Sequence, residues 1–261
     1  AECRLCLGIF HRSLGDQQRG MRELQASMEL CRELGDRPGE SEALLQMGVS
    51  YVSSPQGLVH LERCLAIRRE MFDTAGEAAC LQKLAETHAA LGNLPPSATC
   101  WQDCLNLRKD LGNTAAVRLC LEHLCAIYMQ LGNLARVSDF VVQLRELAAA
   151  QGDPDGEASA LILMAKCQAN LGKSKAAIAS LKEGLDVCAR HSRSEQMLVR
   201  EAECHDKLSQ LHYELGDRAE GKREHEEVRR LKKKLGKEML RGVISDKETR
   251  AKLSRRSGSG V

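Results

Sequence analysis

The sequence predicts an all-α protein in which about six antiparallel helix pairs stack into an α-solenoid. Two observations predict it: helix-ending glycines recur at a fixed spacing, and small residues recur at fixed positions within the helices. Composition agrees, because aromatic residues form 3% and hydrophobic residues 43% of the chain, so Leu and Ala must build the core. Such a core is typical of packed helices and unusual for β-sandwiches.

The dipeptide Leu-Gly marks the ends of the predicted helices. Between Gly92 and Gly172 a glycine falls every 20 residues. Glycine followed by Asp or Asn after an apolar helical pattern is a typical helix stop. A stop every 20 residues predicts one helix pair per 40 residues. The five prolines agree, because each follows a predicted stop or break, where proline is tolerated.

Small side chains recur where the two helices of a pair must approach closely. In the first helices this position holds Gly8, Gly48, Ala85, Cys125, Ala165 and Ser209. In the second helices it holds Gly20, Gly57, Ser97, Val137, Ala177 and Gly221. Four residues later, on the same helix face, come Leu24, Leu61, Trp101, Val141, Leu181 and His225. This order repeats through the chain, which favours stacked repeats over a single bundle.

These registers divide the array, residues 1–236, into six predicted repeats. Their bounds are 1–36, 37–74, 75–113, 114–153, 154–194 and 195–236. The last helix, over 217–235, has few apolar side chains and is predicted to be a polar cap, since a terminal repeat must face water. Residues 237–261 are basic and polar, and we expect a mostly disordered tail. The amphipathic pattern already runs at Ala1, so further repeats upstream are an open alternative.

These patterns resemble the tetratricopeptide repeat (TPR) family. The residues that carry the match are Met47, Gly48 and Tyr51, then Leu124, Cys125 and Tyr128, then Ser97, Trp101 and Cys104. The long period and the Leu-Gly-Asp or Leu-Gly-Asn stops resemble the subgroup of kinesin light chains and Leu-Gly-Asn repeat proteins. The resemblance covers residues 1–235. It implies a right-handed superhelix that binds a peptide or helix of a partner in a concave groove.

The resemblance also implies which side chains face the groove, at fixed offsets from the small residue of each first helix. The predicted partner-binding residues are Gln82, Glu86, Glu122, His123, Met129, Ile162, Leu163, Lys166, Asp206, Lys207, Gln210 and Tyr213. Repeat two adds Leu45, Gln46, Val49 and Val52. Glu122 and Lys166 are expected to contact opposite charges of one ligand. No repeat carries the Lys and Asn pair that clamps a chaperone's C-terminal carboxylate, so that partner class is not predicted.

Catalytic and metal-binding signatures are missing from the sequence. Cys3 and Cys6 form a CxxC motif, but no second pair completes a four-ligand set. The phosphate-loop, dinucleotide and hydrolase motifs are absent, so we predict neither an enzyme nor a cofactor. The twelve cysteines are scattered at helical spacings and are predicted to be reduced core thiols. We therefore expect a cytoplasmic protein, with the nucleus as an alternative, and no transmembrane segment.

A basic run near the C-terminus is the sharpest charge feature. Over 217–261 the charges sum to +7, from 15 Lys or Arg and 8 Asp or Glu, against +2 for the whole chain. The candidate basic patch is Arg229, Arg230, Lys232, Lys233, Lys234 and Lys237.

Three functions remain open from the sequence. The first is a scaffold or adaptor that binds a partner protein in the groove. The alternatives are a structural subunit of a larger, cytoskeletal assembly and an anion-binding module that uses the basic patch on nucleic acid or a membrane surface. Nucleic acid is disfavoured, because the basic patch lacks aromatic side chains on which bases could stack.

Overall fold

The computed structural model describes residues 1–51, 54–191 and 194–235. About 87% of these residues are helical, and none of them lies in a strand. The helices are α1 (Glu2–Ser13), α2 (Gln17–Glu33), α3 (Arg37–Ser50), α4 (Pro55–Glu70), α5 (Thr74–Ala90), α6 (Leu94–Asp110), α7 (Thr114–Gln130), α8 (Leu134–Gln151), α9 (Pro154–Asn170), α10 (Ser174–Arg190), α11 (Glu195–Glu214) and α12 (Arg218–Leu235). The all-α prediction is confirmed. The predicted groove residue Val52, the basic residue Lys237 and the tail 237–261 lie outside the described residues.

The Leu-Gly-Asp tripeptide ends one helix and begins the next. Gly35 has a φ of +69°, and its N–H donates to the Arg32 carbonyl while the N–H of Asp36 donates to the Cys31 carbonyl. This pair of bonds satisfies carbonyls that the helix end would otherwise leave open. The Asp36 carboxylate then accepts a hydrogen bond from the Gly39 N–H and caps α3. One short sequence therefore sets both the stop and the start.

The turn between α4 and α5 uses a different residue for the same purpose. Phe72 takes the left-handed conformation, with a φ of +56°, where other turns have glycine. Its side chain is exposed, and the following Asp73 caps α5 through the Gly76 N–H. A non-glycine residue pays a conformational cost there. The N–H groups of Phe72 and Asp73 donate to the Arg69 and Arg68 carbonyls, so this turn keeps the helix-stop geometry without glycine.

The predicted small residues lie where the paired helices come closest. A Cβ added to Gly48 would lie 2.5 Å from Cγ of Leu61 and 3.2 Å from the Gly57 carbonyl oxygen. Where serine takes the place of glycine, its hydroxyl group bonds to the backbone of the paired helix. Ser97 Oγ donates to the Ala85 carbonyl at 2.7 Å. The fixed positions of small residues are therefore explained by backbone contact across each pair.

The described helices group into two units, one within residues 1–132 and the other within residues 133–235. In the first unit, α1–α2, α3–α4 and α5–α6 form pairs, and α2–α3, α4–α5 and α6–α7 pack between pairs. In the second unit each helix from α8 to α12 packs on the next. Helix α12 buries Val228, Leu231 and Leu235 against α11, while most of its other side chains face solvent, as expected of a cap. The repeat bounds and the right-handed twist stay predictions.

Candidate partner-binding surface

A cavity of about 450 Å³ lies between α1 and α3. Its apolar wall comes from Ile9 and Val49, and its polar wall from Arg12 and Gln46. Nη1 of Arg12 donates to the backbone carbonyl and to Oε1 of Gln46, both at 3.2 Å. Burial lowers the pKa of Arg12, and no carboxylate among the described residues forms an ion pair with it. The cavity therefore offers a guanidinium beside an apolar wall.

Arg12 was not among the predicted site residues, although the sequence contains its signal. It lies four residues after Gly8, which is a groove offset that the resemblance implies. Gln46 and Val49 were predicted from the same offsets in the second repeat. The sequence does not show that Arg12 contacts the next helix pair, because its hydrogen-bond acceptor, Gln46, is 34 residues away.

In α5, the predicted residues form a small charge-compensated cluster. Glu86 accepts hydrogen bonds from Gln82 Nε2 at 2.9 Å and from Lys83 Nζ at 2.7 Å. All three side chains are half-buried. Because the Glu86 carboxylate is already neutralised by Lys83, this part of the surface presents amide and methylene groups more than net charge.

In α7, Glu122 and His123 are exposed and Met129 is half-buried. The His123 ring stacks on Trp101 of α6, with ring centroids 4.3 Å apart and planes 9° apart. Trp101 is 1% exposed, so it fills the α6–α7 interface as well as its own helix pair. The stack fixes the imidazole of a predicted groove residue at the surface, a contact that sequence reasoning missed.

In the second unit, two predicted groove residues are buried, which corrects the expectation for them. Ile162 is 2% exposed and belongs to a core cluster with Leu181 and Leu208. Asp206 is 4% exposed and accepts a hydrogen bond from Gln210 Nε2 at 2.7 Å. The offset three residues before the small residue therefore faces the core in α9 and α11.

The other predicted residues of the second unit remain partly accessible. Leu163, Lys166, Lys207, Gln210 and Tyr213 are half-buried. Lys166 Nζ lies 3.7 Å from a carboxylate oxygen of Glu203, and Lys207 Nζ lies 3.5 Å from Asp206. Glu122 belongs to the first unit and Lys166 to the second, so their joint contact with one ligand stays a prediction.

The basic run lies on the outer face of α12. Arg229, Arg230, Lys233 and Lys234 are exposed, and Lys232 is half-buried. Arg230 pairs with Glu227 at 3.0 Å. The run therefore places several cations on a solvent-facing helix surface, while Leu231 and Leu235 anchor the same helix to the core.

Neither a metal-ligand cluster nor a membrane-spanning helix occurs in the part of the chain that the structure describes. Within 1–51, 54–191 and 194–235, no three His, Cys, Asp or Glu side chains come together as a metal-ligand set. No helix in those ranges has the length and apolar character needed to cross a bilayer. All twelve cysteines are free thiols, with Cys3 and Cys6 exposed.

Comparison with known proteins identifies the fold. No protein-family model and no curated protein sequence matches the chain. Among solved structures, a putative kinesin light chain with TPR-like repeats from Podospora anserina is 16% identical, with a TM-score of 0.58, covering 83% of this chain and 98% of that one. A signal-transduction ATPase with a tetratricopeptide repeat sensor from Pyrococcus horikoshii is 16% identical, with a TM-score of 0.69. That match covers 97% of this chain and 37% of the ATPase.

A third similar structure is a Rap protein complexed with Competence and Sporulation Factor. It is 12% identical with a TM-score of 0.50, covering 89% of this chain and 63% of that one. The chain thus has the fold of a TPR-like repeat protein. The resemblance stated from the sequence is confirmed at the level of fold.

Proposed function

We propose that this chain is a protein-binding scaffold or adaptor that holds a peptide or helix of a partner on the surface of its first helices. The observation that carries the proposal is the cavity between α1 and α3. It lies at the groove offsets, and it combines an apolar wall with a guanidinium that has no carboxylate partner among the described residues. A TPR-like neighbour supports it, because the Rap protein of similar fold is complexed with Competence and Sporulation Factor.

The chemistry of this surface defines the kind of ligand that fits. Arg12 suits a carboxylate or a carbonyl, since a guanidinium presents several N–H donors in a fixed fork. Ile9 and Val49 suit an aliphatic side chain next to it. Farther along the first unit, Glu122 and the stacked His123 are exposed and offer a carboxylate and an imidazole. A mixed apolar and charged segment of a protein fits this set better than a uniformly charged polymer.

The experiment begins with affinity capture of a partner on the intact chain, followed by mass spectrometry. Two groove variants are then compared against the captured partner: Arg12→Gln, and Glu122→Lys combined with Lys166→Glu. We expect both to weaken binding at least tenfold while the helical content is unchanged. The matched control is Glu33→Lys with Lys182→Glu, which reverses one exposed charge on a second helix of each unit. Full binding by both groove variants would contradict the proposal.

A second candidate function rests on the exposed cations of α12. If an anionic partner binds there, neutralising Arg229, Arg230, Lys233 and Lys234 to Gln should abolish binding and the groove variants should not. Substitution is a better test than removing residues 229–261, because removal would also delete the buried Leu231 and Leu235. Strong weakening by salt would also mark this mode. If neither set of variants affects binding, a structural subunit of a larger assembly becomes the leading function.

A further inference from the structure

Three pairs of cysteines lie across interfaces between successive helix pairs. They are Cys64 of α4 with Cys80 of α5, Cys104 of α6 with Cys120 of α7, and Cys188 of α10 with Cys204 of α11. In each pair the two cysteines are 16 residues apart in sequence, and for Cys104 and Cys120 the two sulfurs lie within hydrogen-bonding distance. Hydrogen bonding from Cys80 and from Cys204 lowers the pKa of Cys64 and of Cys188. Each pair joins a second helix to the first helix that follows it, and Cys64 and Cys104 both lie seven residues after the small residue of their helices, Gly57 and Ser97.

The pair of Cys104 and Cys120 has the best-defined geometry. The Cys120 thiol donates to Cys104 Sγ, and the two sulfurs are 3.6 Å apart. A disulfide needs the sulfurs at about 2.05 Å, so the two side chains must close by roughly 1.5 Å between them. The Trp101–His123 stack lies in the same α6–α7 interface and already holds the two helices together.

An arginine one helical turn after the cysteine makes the site favourable for a thiolate. Arg68 follows Cys64, and Arg108 follows Cys104, by four residues each. The Nε atoms of both arginines are buried without a hydrogen-bond partner among the described residues. The hydrogen bond from Cys120, with help from Arg108, lowers the pKa of Cys104 to about 7. A thiolate is the reactive form of cysteine toward oxidants.

We propose that Cys104 and Cys120 form a reversible dithiol–disulfide site that a small peroxide oxidises. Cys104 and Cys120 are 0% and 1% exposed, so a small uncharged oxidant can reach their thiols more readily than a bulky disulfide. The Cys104 thiolate attacks one peroxide oxygen and the O–O bond breaks. Hydroxide departs, and Cys104 becomes a sulfenic acid. The Cys120 sulfur then attacks the sulfenic sulfur, the S–O bond breaks, and the departing hydroxide takes the Cys120 proton to form water. The sum is two thiols and one hydrogen peroxide giving one disulfide and two waters.

The bond would fix α6 against α7 beside a predicted binding residue. His123 lies three residues after Cys120 and stacks on Trp101, so the oxidised form holds this part of the surface in one arrangement. Reduction by a dithiol would restore the unlinked interface. The disulfide involves only the α6–α7 interface, so its formation does not depend on the proposed partner binding.

The test treats the intact folded chain with hydrogen peroxide, alkylates the remaining thiols under denaturing conditions, and maps disulfides by mass spectrometry. We expect a peptide linked between Cys104 and Cys120 and lighter by two hydrogen atoms. The linked protein should unfold at a temperature higher by several degrees, and dithiothreitol should reverse both changes. Exposed Cys3 and Cys6 report that the oxidant acted, and buried Cys31, which faces Asp36 and Ser27, is the control for an unpaired core thiol.

Two control substitutions use residues that already occur at the equivalent positions of other repeats, so both variants are expected to fold. Cys120→Ala copies Ala43 and Ala160, and Cys104→Ser copies Ser27, at equivalent positions of other repeats. Either change should remove both the link and the shift in unfolding temperature. The proposal is overturned if Cys104 and Cys120 are recovered as alkylated thiols after Cys3 and Cys6 have been oxidised. A link from Cys104 to any other cysteine would also overturn it.

Discussion

Helices α1 and α7 carry the same side-chain pattern in different surroundings. Leu7 and Phe10 of α1 are 47% and 57% exposed, whereas Leu124 and Ile127, at the equivalent positions of α7, are 0% and 5% exposed. Helix α7 packs against α6, and no helix in the described residues packs on the corresponding face of α1. The sequence therefore encodes an interface in both helices, and the presence of a neighbour decides whether that face is buried.

Among the described residues, helix α12 also has a face without a neighbouring helix, but that face carries charged residues where α1 has apolar ones. Its outward positions carry Arg223, Arg229, Arg230 and Lys233, and its apolar residues point to α11. Charged side chains keep such a face in water at little cost, whereas contiguous exposed apolar residues commonly mark contact surfaces. Burial in this repeat array therefore follows from stacking: an apolar face is buried only where a neighbouring helix packs on it.

The largest effect is expected at the centre of the α6–α7 interface. Trp101→Ala should cost about 3–5 kcal/mol of unfolding free energy, because it removes the largest fully buried side chain and leaves a cavity. Urea unfolding followed by circular dichroism would measure it. His123→Ala should cost only about 0.5–1.5 kcal/mol, since it removes the ring stack from an exposed residue. A loss below about 1 kcal/mol for Trp101→Ala would contradict the packing described here.

Leu124 of α7 and Leu7 of α1 occupy the same register but differ in burial. Leu124→Ala should cost about 2–5 kcal/mol, because a buried leucine loses its packing and leaves a cavity. Leu7→Ala, at the same register of α1, should cost less than about 1 kcal/mol, because half of that side chain already faces water. The two variants need only the same unfolding assay. Equal losses would mean that the face of α1 is covered in solution.

Close approach within a helix pair gives a medium effect. Gly48→Ala should cost about 1–3 kcal/mol, since the new Cβ would overlap Leu61 Cγ. The cost should largely vanish when Gly48→Ala is made in a Leu61→Ala background, because the overlapping atoms are gone. A double-mutant cycle from thermal or urea unfolding gives this coupling. Strict additivity would show that the clash lies elsewhere.

The smallest effect is expected on the outer face of α12. Arg230→Ala removes an exposed ion pair with Glu227, and such pairs contribute at most about 1 kcal/mol. We expect a change within about 0.5 kcal/mol, as for most surface positions. Differential scanning calorimetry of the variant beside Leu231→Ala, which removes a buried side chain of the same helix, would separate the two faces. A large loss for Arg230→Ala would show that the outer face is packed.

Much of the fold could be predicted because its signals are local. A glycine with positive φ and a capping Asp or Asn act within a few residues, so helix ends such as Gly35 and Asp36 are visible in the sequence. Phe72 shows the limit of that signal. It adopts the glycine conformation without being glycine, so a pattern built on glycine does not find this turn.

The candidate site could be predicted less completely, because exposure is a property of neighbours. The same family offset gives half-buried Gln82 in α5 but buried Ile162 and Asp206 in α9 and α11. Arg12 entered the candidate surface through an acceptor on the next helix pair. No local pattern contains these distances.

Helix ends, helix pairing and the positions of close contact can be predicted from the sequence, because capping and side-chain size act locally and repeat with the chain. Tertiary packing sets which face of α1 stays open and which offset is buried in the second unit. It also brings His123 onto Trp101 and Cys104 next to Cys120. Each of those contacts joins residues from different helices. Their formation depends on how successive helix pairs stack, and that arrangement is set by the packing of whole surfaces.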